Sequence, residues 1–91
     1  MSQPETYKLH PHARFRAMAD AGVFVLQKSG EVLEVNGVAA CIVDILRKTG
    51  TLDDAVGEVC RRFAVDEATA RADAEELVAS LVSAGALVGT G

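Results

Sequence analysis

Apolar positions in the last third of the chain recur with the period of a helix. In the stretch from Val65 to Val88 they fall at Ala70, Ala74, Leu77, Val78 and Leu81, one face of an amphipathic helix. Asp66 stands where an N-cap belongs, and Glu67 adds a negative charge at the positive end of the helix dipole. Gly85 stands where a left-handed C-terminal cap belongs, and Leu87 can fold back on the helix it closes. Two further helical patterns precede it. Val38, Ala39, Ile42, Val43, Ile45 and Leu46 follow Asn36, a good N-cap, and end at Arg47-Lys48 and Thr49-Gly50. Leu52, Ala55, Val56, Val59, Cys60 and Phe63 follow Thr51-x-x-Asp54, a capping box with Asp in place of Glu, and end near Arg61-Arg62. Gly57 inside that helix predicts close packing, because Gly there costs about 1 kcal/mol against Ala.

Upstream the period changes to two. Phe15, Ala17 and Ala19 alternate with Arg14, Arg16 and Met18, a weak strand with a polar outer face. Asp20-Ala21-Gly22 reads as a turn, Val23 to Leu26 as the clearest strand, and Lys28-Ser29-Gly30 as a second turn. Glu31 to Val35 follows as the third strand, with Leu33 and Val35 on the face of Glu31, and Val32 and Glu34 on the other. The predicted fold is α+β: a three-stranded antiparallel meander followed by a three-helix bundle, like a winged helix-turn-helix. Residues 1–13 hold both prolines, both histidines and the only tyrosine, and read as a flexible arm ahead of a single domain over 14–88.

Composition narrows the function classes. The chain has 91 residues, 49% of them apolar, with few aromatics, which suits one small aliphatic-cored domain. No apolar run is long enough to span a membrane, and MSQPETYKLH lacks the features of a signal peptide, so the expected compartment is the cytoplasm. In a reducing cytosol Cys41 and Cys60, set among Ala, Ile and Val, act as small buried hydrophobes. His10 and His12 are a pair without the third ligand that a metal site needs, so no metal or cofactor is expected. Asp53-Asp54 and Glu75-Glu76 are adjacent on helices, about 100° apart, and do not converge on a substrate. No triad spacing or phosphate loop is visible, so the chain reads as no enzyme. A winged-helix DNA-binding regulator is the alternative reading. Yet its recognition helix would carry Asp66, Glu67, Asp73, Glu75 and Glu76 against one Arg71, and the net charge is -4. Such a face repels phosphates.

With the meander, the Val35-Asn36 junction and the closing helix in place, residues 14–88 resemble the PqqD family, the protein D family of pyrroloquinoline quinone synthesis. Val35-Asn36 is similar to the family's Leu-Asn before its first helix. Ala39, Ile42 and Ile45 follow its small-Ile-Leu pattern, and Asp73, Leu77, Val78, Leu81, Gly85 and Leu87 match its helical ending in register. Val35 replaces the usual Leu, Lys48 stands where a Gly is usual, and Ala74 replaces a larger apolar residue. The resemblance implies a peptide-binding chaperone that does no chemistry itself. It would bind the leader segment of a ribosomally made precursor and present the core segment to a modifying enzyme, often a radical-SAM enzyme. In the family the peptide adds as a strand beside the third helix.

That mechanism picks out residues here. Glu31, Val32, Leu33, Glu34 and Val35 would offer the open backbone edge, guarded by two charges. Asp73, Leu77, Ser80 and Ala84 form one stripe beside the core face of the helix. Leu77 would be the groove floor, Asp73 a rim charge for a basic leader residue, and small Ser80 and Ala84 would leave room for a bulky one. Val82 lies on the other flank. Neither nucleic acid nor membrane is an expected partner, and a homodimer is compatible with the pattern.

Overall fold

The computed structural model describes residues 6–90. The elements are β1 (Thr6–Leu9), β2 (Ala13–Ala17), β3 (Ala21–Leu26), β4 (Glu31–Asn36), α1 (Gly37–Thr49), α2 (Leu52–Phe63), α3 (Glu67–Ala84) and β5 (Leu87–Thr90). β2, β3 and β4 form the antiparallel meander, in that order. The three helices follow it, as the apolar periods predict. Phe15, Phe24 and Leu33 lie in one row across the sheet and face the helices.

Each helix starts at the cap that its sequence announces. The side chains of Asn36, Thr51 and Asp66 accept from the N–H groups of Ala39, Asp54 and Thr69. Each removes one of the unpaired donors that every helix N-terminus leaves. Gly85 closes α3 at φ 83°, and its N–H and that of Ala86 reach back to the last turn, Ala86 to Leu81 at 2.9 Å. That left-handed geometry favours glycine. It also turns Leu87, 2% exposed, into the core. α2 ends at Ala64, which takes φ 54° without being glycine.

The largest fully buried side chains are Phe24, Ile42, Val43, Leu46, Val56 and Val59, in a mainly aliphatic core that also takes in Tyr7. α3 contributes Ala70, Ala74, Val78 and Leu81. α3 packs chiefly on α2 and β5 and touches α1 only lightly, and that uneven seating leaves a gap between α1 and α3 at the end of β4.

The structure corrects the sequence reading in four places. The arm is not free along its length: its residues 1–5 lie outside the described residues, but Thr6–Leu9 is β1, paired antiparallel with β5 from Thr6↔Thr90 to Leu9↔Leu87. Tyr7 is 6% exposed, its N–H donates to Gly50 at 2.8 Å, and His10 N–H donates to Ala86 at 2.9 Å. A buried aromatic and backbone bonds fix the segment, so the folded unit begins before residue 14. Ala21 and Gly22 belong to β3 rather than to a turn. Gly22 is needed for close approach, because a Cβ there would stand 2.7 Å from the Phe15 ring. Gly57 is exposed and nothing lies near it, so close packing does not explain it. Phe63 ends α2 exposed under the Arg62 guanidinium and not in the core.

Candidate functional site

β4 is the last strand of the meander, and β3 is its only partner among the described residues. The hydrogen-bond parity of the sheet tells which of its backbone groups are unused. Met18 N–H donates to Ala21 and Gln27 N–H to His12, both at 2.8 Å. Odd-numbered residues of β3 therefore bond to β2, and even-numbered ones to β4. Through the register Gly22↔Val35 and Phe24↔Leu33, the backbone groups of Leu33 and Val35 are spent on β3, while at the turn Glu31 N–H donates to Ser29 Oγ at 3.2 Å and the Leu26 carbonyl accepts from Gly30 N–H at 2.7 Å. The backbone groups of Val32 and Glu34 point away from the sheet. An incoming strand would meet two donors and two acceptors in the correct spacing.

Beside this edge, the gap between α1 and α3 is an open cavity of about 460 Å³. Asn36, Val38, Ala39, Ile42, Asp73, Glu76, Leu77 and Ser80 line it. Asn36 spends its Oδ1 on Ala39 N–H at 2.9 Å, which leaves its amide N–H groups to face outward. Leu77 is half-buried, the one large apolar side chain of α3 shared between core and groove. Asp73 and Glu76 are exposed on the α3 rim.

Of the residues singled out from sequence, Asp73, Leu77 and Ser80 meet in this cavity. Glu31 to Val35 form the open edge next to it. Ala84 is exposed on the last turn of α3 and does not line the cavity. Sequence reasoning read Asn36 only as a cap, Val38, Ala39 and Ile42 only as a helical face, and Glu76 only as the neighbour of Glu75, and placed none of them in the groove. The i, i+3 spacing of Glu76 from Asp73 was a usable signal; the approach of α1 was not. On the opposite flank of α3, Tyr7, Val78, Ala79 and the exposed Val82 border a second hollow of about 370 Å³.

The remaining polar chemistry lies elsewhere. Arg71 binds Asp53 at 2.8 Å, Arg47 binds Asp44 at 2.7 Å, and Arg61 pairs with Glu58. The Arg47 guanidinium holds the Asp44 carboxyl below its ordinary value, and burial pushes the Cys41 thiol up. His10 Nδ1 accepts from His12 N–H at 3.0 Å. Among the described residues no group of three His, Cys, Asp or Glu is placed to hold a metal ion, and no helix is long and apolar enough to cross a membrane.

No curated protein matches the chain. Two solved structures share its fold. One is described as TbiB1 in complex with the TbiA(beta) leader peptide. It is 19% identical, with a TM-score of 0.82 over 92% of this chain and 98% of that one. The other is described as lasso peptide synthetase B1 complexed with the leader peptide. It is 25% identical, with a TM-score of 0.81 over 91% of this chain and 98% of that one. The family model described as coenzyme PQQ synthesis protein D (PqqD) matches residues 4–87. That match takes in β1 to α3 and the start of β5, and the chain belongs to the PqqD family.

Proposed function

We propose that this protein binds the leader segment of a ribosomally made precursor peptide and presents the attached core segment to a maturation enzyme. The leader adds as a strand to β4 and lays alternate side chains into the groove between α1 and α3. The observation that carries this reading is the unpaired edge of β4 beside that groove, in a fold whose solved neighbours hold leader peptides. Glu31 to Val35 supply the edge, Leu77 the floor, Asp73 and Ser80 the α3 wall, and Ala84 flanks the exit. The enzyme served is of the radical-SAM type, and the pair works in the cytoplasm, where the precursor is made.

The test is a titration of the isotope-labelled protein with the leader of a short precursor encoded beside its gene. Amide shifts are expected at residues 31–36 and 73–80, with new exchange protection at Val32 and Glu34. Binding with those amides unmoved would place the peptide elsewhere. The acidic α3 gives no footing for a duplex, so binding should also persist at salt concentrations that abolish phosphate-driven association.

A further inference from the structure

Strand addition leaves part of the groove's chemistry unused. The floor is apolar, built from Val38, Ala39 and Ile42 of α1 and Leu77 of α3. Asp73 and Glu76 stand above it, three positions apart on one helix face, and no Lys, Arg or His lines the cavity. Neither carboxylate has an ion pair or hydrogen bond among the described residues, and the helical cations are engaged elsewhere: Arg71 with Asp53, Arg47 and Lys48 with Asp44, Arg61 with Glu58, Arg62 with Cys41. Glu31 and Glu34 extend the same sign along the strand.

The leader-binding reading is the premise here. On it, we propose that the groove selects a leader carrying a Lys or Arg at an inward-facing position. The aliphatic stem of that side chain lies over Leu77, Ile42 and Val38, and its charged head reaches Asp73 and Glu76. A long cationic side chain is the one natural type that satisfies both halves of this site, because its stem covers apolar surface while its head stays at a polar rim. A bulky apolar or aromatic residue would fill the floor equally well. It would also leave the two carboxylates without a partner, and an acidic residue would add repulsion. The open rim keeps the pair solvated and its strength moderate.

Random linear peptides displayed on phage and panned against the full chain test this. Retained peptides should share Lys or Arg at one fixed position in a strand-like pattern. In a retained peptide, Lys→Gln should weaken binding about three- to tenfold, in line with one or two partly exposed ion pairs, and Lys→Glu further. Against the Asp73→Asn/Glu76→Gln variant the Lys-to-Gln difference should fall below about twofold. Both side chains are exposed and unpartnered, so this variant should melt like the parent; Glu76→Gln alone gives a second, smaller reading of the same difference. Retained peptides without a shared cation would overturn the selection while leaving leader binding in place, as would a Lys-to-Gln difference that survives in the variant. If no peptide is retained at all, leader binding itself falls and takes this selection with it.

Discussion

Proline placed at alternate positions of β4 should separate peptide binding from folding. Val32 and Glu34 direct their N–H groups away from β3, whereas Leu33, opposite Phe24, directs its N–H into the sheet. Val32→Pro or Glu34→Pro therefore removes one donor from the open edge and none from the existing ladder. Edge strands tolerate proline for this reason. The residue before each proline is already extended, as proline requires. Val32 is 63% exposed, so its replacement gives up at most about 1 kcal/mol of side-chain burial. Both variants should remain folded.

Each lost edge N–H removes one intermolecular hydrogen bond, worth about 0.5–1.5 kcal/mol net, or about two- to twelvefold in Kd. The double variant should lose about five- to 150-fold if the two bonds add. Leu33→Pro is the contrast: it breaks a ladder bond to β3 and leaves a carbonyl without its donor, a stability loss of about 1–3 kcal/mol. The assay is fluorescence anisotropy of a labelled peptide that binds the unmodified chain, run beside urea denaturation of every variant. Folded Val32→Pro and Glu34→Pro proteins that hold the peptide with unchanged Kd would refute strand addition at β4.

Further substitutions probe the frame. Tyr7→Ala should cost about 3 kcal/mol in urea denaturation, because Tyr7 is a 6% exposed aromatic in the core, not part of a loose arm; a change under about 0.5 kcal/mol would show that β1 adds nothing. Ala64→Gly should stabilise the chain by about 0.5–1 kcal/mol, since φ 54° strains any residue with a Cβ. Asp44 has its carboxyl lowered by Arg47, so its contribution is present above the unfolded value near pH 4 and lost as pH falls through the folded one. The stability difference between the parent and Asp44→Asn, about 0.2–1 kcal/mol at pH 6, should therefore shrink as pH falls below about 4, and a difference that grows there would reverse the assignment. Iodoacetamide should label half-buried Cys60 well before Cys41, whose thiol is buried and pushed up; equal rates, read by peptide mass mapping, would contradict that burial.

What the sequence discloses about this protein divides by the range of the interactions involved. Helix boundaries depend on contacts within four residues, so Asn36, Thr51, Asp66 and Gly85 announced all three helices in their places. β1 and β5 are each four residues long and joined from opposite ends of the chain; Tyr7 and Leu9 alternate with Thr6 and Lys8, but the run is too short to stand out, and β5 shows no alternation. Only tertiary closure makes Tyr7 a core residue. The candidate site splits along the same line. That β4 is an outer strand was legible because a meander's last strand has no successor to pair with, whereas its choice over β2, the sheet's other outer strand, came from the family resemblance. The groove was not legible, because the width between α1 and α3 depends on how far Ala70 and Ala74 let α3 lean toward α2. Ala70 and Ala74 are buried on one face of α3 while Leu77, half-buried, borders the groove on another, so on this account small residues on one face leave space on the next. If that is the origin of the groove, enlarging Ala74 should press α3 back toward α1 and narrow it, weakening peptide binding even though residue 74 itself is completely buried and touches no peptide.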